Sequence, residues 1–104
     1  MAKDQPRVTD ILPAAWDDLI EGVGFYEEKS PGLGLRFMDE MLAQIQGLRP
    51  FAGSHSRRLD HYFALADVWP WAIYYILEND RMIIAAVLDC RRDPDFIRSR
   101  LRGK

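Results

Sequence analysis

The stretch 82-MIIAAVLDCRRDPDF-96 contains the end of a strand and the start of a helix, and the predicted fold is built around it. Residues 82–88 are a continuous apolar run, which is typical of a strand that is covered on both faces. Asp93 followed by Pro94 is a common helix start, because the aspartate accepts a backbone N–H and proline needs none at the first helical position. We therefore predict a strand over 82–88 and a helix over 94–101.

Three further segments have strand character. Residues 71–77 are rich in aromatic and β-branched types, and a short polar loop separates them from 82–88, which predicts an antiparallel hairpin. Residues 59–66 are another candidate strand, and residues 5–11 are a short one. The polar stretch 53–58 is predicted to be a loop.

The first half of the chain has helical periodicity. One helix is predicted to begin at Pro13 and to end at Ser30-Pro31-Gly32, and a second to cover 33–48. Apolar side chains at helical spacing mark the core-facing side of each helix: Trp16, Leu19, Ile20 and Val23, continued by Tyr26 or Glu27, in the first, and Phe37, Met38, Met41, Leu42, Ile45 and Leu48 in the second. Two antiparallel helices joined by a short turn form a helical hairpin.

These elements have the order β-α-α-β-β-β-α in a single domain that covers residues 1–104. The order predicts an α+β fold in which an antiparallel sheet packs against an N-terminal helical hairpin. In that fold, 71–77 and 82–88 are adjacent antiparallel strands, and the apolar sides of both helices pack against one face of their sheet.

The composition excludes several classes of protein. One cysteine allows no intramolecular disulfide, and with two histidines no metal-ligand cluster is expected, so no metal or cofactor is predicted. No window reaches about 18 consecutive apolar residues, so no membrane span is expected. The start of the sequence, MAKDQPRV, lacks the apolar core of a signal peptide, which favours a cytoplasmic location.

Charge is distributed unevenly along the chain. Residues 1–80 carry 7 Lys+Arg and 13 Asp+Glu, a balance of −6, whereas residues 81–104 carry 7 Lys+Arg and 3 Asp, a balance of +4. An acidic chain is a poor candidate for direct nucleic-acid binding, which depends on a continuous basic surface. A basic end on an acidic body suits a protein partner better.

Several short motifs occur in a characteristic order. They are Ala15-x-x-Asp18-Leu19, Tyr26, Ser30-Pro31-Gly32-Leu33-Gly34-x-Arg36-Phe37, Trp69-Pro70-Trp71-x-Ile73-Tyr74-Tyr75 and Leu88-Asp89-Cys90-Arg91-Arg92-Asp93-Pro94. Together they span nearly the whole chain, and with them the sequence resembles the RelE/ParE superfamily of toxins from type II toxin–antitoxin systems, most of all its ParE branch. The resemblance implies the small α+β fold of that family and a cognate antitoxin that wraps the toxin.

Two activities divide the family: RelE-like members cut messenger RNA in the ribosome, and ParE-like members inhibit DNA gyrase. In the RelE branch the cut depends on basic residues of the central strands and on a Tyr or His near the C-terminus. Here the strand position expected to carry an arginine is Ala72, and residues 94–104 contain neither Tyr nor His. The sequence therefore favours a ParE-like toxin that binds DNA gyrase over an enzyme, and no catalytic residue is assigned. The alternatives are a ribosome-dependent endoribonuclease and a non-toxic binding module with the toxin fold.

Arginines are the leading candidates for binding the target or the antitoxin, because a guanidinium group binds a carboxylate through two parallel hydrogen bonds. Arg91 and Arg92 are expected to point to opposite sides of the sheet by strand alternation. One of them is expected to pair internally, with Asp89, Asp93 or a carboxylate of the first helix, and the other is left for a partner. The further candidates for this role are Arg98, Arg57, Arg58 and Trp71.

Overall fold

A computed structural model of the chain describes residues 5–103. Within this range the elements are β1 (Val8–Ile11), α1 (Pro13–Lys29), α2 (Leu33–Gln46), β2 (Ser56–Arg58), β3 (His61–Leu65), β4 (Trp71–Glu78), β5 (Arg81–Asp89) and α3 (Pro94–Leu101), with a short 3-10 turn at Arg49–Phe51. The predicted α+β class is confirmed, as are the helical hairpin, the start of α1 at Pro13 and the start of α3 at Pro94.

The strands form one sheet in the order β1-β5-β4-β3-β2. β4 and β5 are antiparallel neighbours, as predicted, with Trp71 opposite Asp89 and Glu78 opposite Arg81. Because Glu78 and Arg81 already belong to the ladder, the connection is a two-residue turn, shorter than the stretch 78–81 left between the two predicted strands. Asn79 in that turn has a φ of 56°, a conformation that asparagine tolerates better than most residues.

Two features of the sheet differ from the expectation. β1 is parallel to β5, whereas the other neighbouring strands are antiparallel. Residues 56–58, predicted as a loop, form β2 on the far edge of the sheet, and β3 begins only at His61. The residues between them, Leu59 and Asp60, both have positive φ and make the tight turn. A three-residue polar edge strand carries no alternating apolar pattern, so periodicity could not reveal it.

Helices cover both faces of the sheet. On one face α1 and α2 enclose the main core, whose largest fully buried side chains are Leu19, Phe37, Met41, Ile45, Ile73, Tyr75, Met82, Ile84 and Val87. On the other face α3 covers a smaller cluster of Ala72, Tyr74, Ala86, Leu88, Ile97 and Leu101. Successive residues of β4 and β5 therefore enter different cores, which explains why both strands are apolar throughout.

α1 buries a side that only partly overlaps the predicted one: Leu19 and Tyr26 are buried as expected. Trp16 is 38% exposed and Ile20 is 59% exposed, so their assignment to the core was wrong. A Cβ at Gly22 would lie only 2.5 Å from a ring atom of Phe37, so the helix turns this small residue inward to make room for the ring. The spacing of large apolar residues cannot identify a helix face that is built partly from small residues. The buried positions are Ala15, Asp18, Leu19, Gly22 and Tyr26.

The turn between α1 and α2 holds the two helices close together. The Glu27 carboxylate accepts hydrogen bonds from the backbone N–H groups of Gly32 (2.9 Å) and Gly34 (3.0 Å), and these bonds lower the pKa of Glu27. Gly32 has a φ of 86°, which glycine adopts without strain. At Gly34 a Cβ would lie 2.5 Å from the carbonyl oxygen of Val23, so the helices touch backbone to backbone there.

Asp18 is not part of the apolar stripe predicted for α1, yet it is a buried residue with 5% exposure. β1 ends opposite Ile84, so within residues 5–103 no strand neighbours the outer edge of β5 beyond that point. The Asp18 carboxylate accepts the Val87 N–H on this edge at 3.0 Å and a hydrogen bond from Nη2 of Arg100 at 2.8 Å. The carboxylate also pairs with Nη1 of Arg100, and the hydrogen bonds that Arg100 donates to Asp18 raise the pKa of that arginine.

Candidate partner-binding surface

The segment after β5 holds two of the predicted arginines in a turn. β5 ends at Asp89, so Arg91 and Arg92 lie in the turn after the strand, and the turn rather than strand alternation sets their directions. Arg91 donates from Nε (2.9 Å) and Nη2 (2.7 Å) to the two carboxylate oxygens of Asp89. This hydrogen bonding lowers the pKa of Asp89 and raises that of Arg91. The prediction that one of the two arginines pairs internally is confirmed for Arg91.

Arg92 is placed differently from its neighbour. Its guanidinium carbon lies 3.7 Å from the centre of the Phe96 ring on α3, a cation–π contact. The ion pairs of residues 5–103 do not include Arg92. Because this contact occupies only one face of the guanidinium, its N–H groups remain available to an external carboxylate.

A crevice of about 170 Å³ opens beside Arg92, between α1 and the end of the sheet. Its lining is mostly apolar and includes three charged residues. The lining residues are Glu21, Gly22, Phe25, Trp71, Asp89 and Arg92. This combination of an apolar pocket and a cation at the rim fits the apolar side chain of a partner protein with a carboxylate next to it.

Trp71 contributes to this crevice only with the edge of its ring. The residue is buried in the main core, and its Nε1–H donates to the Tyr26 hydroxyl at 3.0 Å. Both rings belong to an aromatic cluster that also includes Phe37 and Trp69. Trp71, one of the predicted partner-binding candidates, therefore lines the crevice from within the main core.

Arg57 and Arg58 lie on β2, at the opposite edge of the sheet from β1. The Arg57 guanidinium lies 4.5 Å from the centre of the Tyr62 ring, on the face of the sheet that α1 and α2 cover. Arg58 is on the other face, where its charge partly offsets the rise that burial causes in the pKa of the Tyr74 hydroxyl. Because the two arginines alternate across the strand, they cannot contribute to one site together.

Arg98 is engaged on α3 itself, where it pairs with Asp95 one turn earlier. Of the six predicted residues, the structure therefore brings Arg91, Arg92 and the edge of Trp71 to one place, and leaves Arg57, Arg58 and Arg98 elsewhere. Phe25 was missed as a site residue. It lies outside the apolar stripe of α1 and is half-exposed, and an aromatic residue off the stripe is the signal that could have identified it.

Comparisons with known proteins agree with this architecture. No model of a known protein family matches the sequence, and no curated protein matches it. A solved structure described as "Chromosomal ParDE TA system from P. aeruginosa" contains a chain that superposes with a TM-score of 0.72 and 15% sequence identity, covering 81% of this chain and 96% of that chain. The chain has a RelE/ParE-like fold.

In this RelE/ParE-like fold the sheet face under α3 is packed and apolar. Ala72, the position at which the ribonuclease branch is expected to carry an arginine, is buried beneath Ile97 and Leu101 of α3. Elsewhere, the Tyr75 hydroxyl bonds to Nδ1 of His55 at 2.5 Å, and burial lowers the pKa of this histidine.

Across residues 5–103 no helix combines the length and apolar character needed to cross a bilayer. In the same part of the chain, no three His, Cys, Asp or Glu side chains are grouped as metal ligands.

Proposed function

We propose that the chain, as a single domain over residues 1–104, is the toxin component of a type II toxin–antitoxin system. The observation that carries this proposal is the shared fold, which extends over 81% of this chain and 96% of a chain from a ParDE toxin–antitoxin structure. A cognate antitoxin is the first partner, and the place of action is the cytoplasm.

The toxin acts by binding and not by catalysis, and its target is DNA gyrase. Cleavage of RNA needs a general base, a general acid and a cation at the scissile phosphate. The apolar packing of Ala72 under α3 and the engagement of Arg91 by Asp89 speak against such a constellation on the sheet. The ParE-like motifs of the sequence, which imply gyrase inhibition, support the choice of target.

The crevice beside Arg92 is the surface proposed for target binding. Phe25 and the edge of Trp71 offer an apolar seat, and the guanidinium of Arg92 offers hydrogen bonds to a carboxylate at its rim. Such an apolar anchor next to a charge-assisted contact is the common form of an energetic hot spot between proteins. Glu21 and Asp89 also line the crevice, and they would repel a partner whose carboxylates lie next to them. This repulsion adds selectivity.

Controlled expression in a bacterial host tests the proposal. Expression of the chain alone should arrest growth, and co-expression with the short open reading frame next to its gene should restore it. An Ala72→Ser variant, altered under α3 and away from the crevice, is a control that should arrest growth as the wild type does if it is equally abundant. Growth that is indifferent to expression of a folded protein would favour the non-toxic binding module.

A further inference from the structure

The loop between β3 and β4 holds Val68 in an unusual backbone conformation. Val68 has a φ of 64°, and the Trp69 N–H donates across it to the Asp67 carbonyl oxygen at 2.5 Å. A hydrogen bond between residues i and i+2 around a positive φ indicates a γ-turn of the rare, strained kind. The strain is largest for a β-branched residue such as valine, because its side chain crowds the backbone at positive φ.

Side chains from α2 and from the core hold this loop in place. The Gln44 side-chain amide accepts the Asp67 N–H at 2.7 Å and donates to the Asp67 carbonyl oxygen at 3.3 Å. On the other side of Val68, Trp69 is buried in the aromatic cluster, and its Nε1–H donates to the Glu40 carboxylate at 2.8 Å. A strained residue persists only where its surroundings fix it, and here both neighbours of Val68 are fixed.

The Val68 side chain points away from the fold. It is 81% exposed, and within residues 5–103 no other large apolar side chain is as exposed. The strain therefore does not serve packing, since glycine or asparagine would adopt the same φ more easily. What valine adds at this position is an apolar side chain held rigidly at the tip of a loop. We call the turn Asp67–Trp69 with this side chain the Val68 knob.

The Val68 knob lies at the same end of the sheet as the crevice beside Arg92. The Cys90 N–H, in the turn that leads to Arg92, donates to the Pro70 carbonyl oxygen at 2.8 Å, so this turn and the loop of the knob are hydrogen-bonded neighbours. Asp67 is exposed, and the ion pairs formed among residues 5–103 do not include it. The knob therefore combines an apolar tip with a carboxylate that is available to an external cation.

We propose that the Val68 knob is a second contact of the target-binding surface, and that it enters an apolar pocket with Lys or Arg at its rim on the target protein. A rigid apolar tip loses little conformational entropy on binding, so its burial contributes almost fully to affinity. The Asp67 carboxylate selects a pocket with a cation beside it. A second copy of this chain is the poorer occupant, because Glu21 and Asp89 in its crevice would repel Asp67. Placing the pocket on DNA gyrase rests on the proposed function.

Substitutions at the knob separate a binding role from a structural one. Val68→Asn replaces the apolar tip with a polar side chain that tolerates positive φ, so the variant should unfold at or above the wild-type Tm. Its affinity for purified DNA gyrase, measured by surface plasmon resonance, should be at least about tenfold lower. Val68→Ile keeps a β-branched apolar tip and should bind as the wild type does. Asp67→Asn should bind with an affinity that depends less on salt.

Leu59→Asn is the matched control. Leu59 is also a branched apolar residue with positive φ, 48°, and it lies in the turn at the opposite end of β3. Because the same chemical change is made there away from the knob, gyrase affinity should stay at the wild-type value. Equal affinity of wild type and Val68→Asn would overturn the proposal, and so would equal losses in Val68→Asn and Leu59→Asn. A lower Tm for Val68→Asn would also overturn it, because Val68 would then be a packing residue.

The other outcomes identify a different occupant or a failure of the proposed function. If Val68→Asn bound gyrase normally but no longer bound the product of the neighbouring open reading frame, the proposal would be overturned in favour of the antitoxin. A wild-type dimer in sedimentation that Val68→Asn dissociates would overturn it in favour of a second copy. If the wild type did not bind gyrase at all, the proposed target would fail and the knob contact with it. Gyrase binding by the wild type that Val68→Asn retains in full would refute the knob alone.

Discussion

Asp18 on α1 and Arg100 on α3 form an ion pair that joins helices from opposite faces of the sheet. The pair passes the edge of β5 beyond the end of β1, and there the same carboxylate accepts the Val87 N–H at 3.0 Å. One side chain therefore satisfies a free strand edge and holds the C-terminal helix over its small core.

Asp18→Ala is expected to lower the free energy of unfolding by about 3 kcal/mol, the lower end of the range for removing one partner of a buried ion pair. The variant leaves the Arg100 charge and the Val87 N–H without their acceptor. Urea denaturation monitored by circular dichroism measures the effect. Arg98→Ala, which removes the surface pair with Asp95, is the control and should cost no more than about 1 kcal/mol. Equal losses in the two variants would contradict a special role for Asp18.

Two glycines of α1 should respond in opposite directions to the same substitution. Gly22→Ala places a Cβ 2.5 Å from the buried Phe37 ring and should destabilise the protein by about 1–3 kcal/mol through overpacking. Gly24 has nothing within 4 Å of the corresponding position. Gly24→Ala should therefore stabilise the protein, by up to about 1 kcal/mol, through higher helix propensity. Thermal unfolding of both variants measures these effects. A shift of Tm in the same direction in both variants would contradict the packing described.

His55 should make stability depend on pH in a defined window. The Tyr75 hydroxyl accepts the Gly53 N–H at 3.0 Å and lies 2.5 Å from Nδ1 of His55, so a neutral His55 can accept the hydroxyl proton. Burial lowers the pKa of His55. Because the pKa is lowered in the folded protein, the contribution of His55 to stability is fully present above the ordinary histidine pKa of about 6.5. That contribution is lost as the pH falls below this value.

Urea midpoints at about pH 7.5 and about pH 5 measure this loss. His55→Asn keeps an acceptor for the hydroxyl but does not titrate, so its loss over the same interval should be smaller. Asp89, whose pKa is also lowered, adds its own loss only below about pH 4, outside the interval. If the stability of wild type and of His55→Asn depended on pH in the same way, protonation of His55 would not be destabilising the fold.

The two adjacent arginines should differ in function. Arg91 is occupied by Asp89, whereas Arg92 lines the crevice with its N–H groups available. Arg92→Ala should weaken target binding by about 1.5–3 kcal/mol, the value of a charge-assisted hydrogen bond, and Arg91→Ala should weaken it less. Inhibition curves of both variants against DNA gyrase make the comparison. A larger loss of gyrase inhibition for Arg91→Ala than for Arg92→Ala would indicate that the binding surface lies outside the crevice.

The central strands and helix starts could be predicted because their signals are local. The apolar runs of β4 and β5 and the Asp93-Pro94 start of α3 depend on neighbouring residues in the sequence, and the structure confirms them. β2 could not be predicted, because its pairing depends on a positive-φ turn at Leu59 and Asp60 and not on apolar alternation. β1 is parallel to β5 because α1 and α2 carry the chain over one face of the sheet. No local sequence pattern encodes this path.

The candidate site was predicted only in part for a similar reason. Arg91 and Arg92 were identified from their position after a strand, but their different roles depend on Asp89 and Phe96, which the turn brings to them. The buried state of Asp18 depends on Arg100, 82 positions away in the sequence. Charged residues are usually exposed, so an aspartate inside the core cannot be recognised without its partner.

The most direct test of the central claim is an assay of DNA supercoiling by gyrase with the purified chain, run beside primer-extension mapping of ribosome-bound messenger RNA. A ParE-like toxin that works by binding should inhibit supercoiling and leave the messenger uncut, and Arg92→Ala should reduce the inhibition. Unchanged supercoiling together with discrete cleavages in the messenger, lost in Arg91→Ala or Arg92→Ala, would contradict the account and identify a ribonuclease.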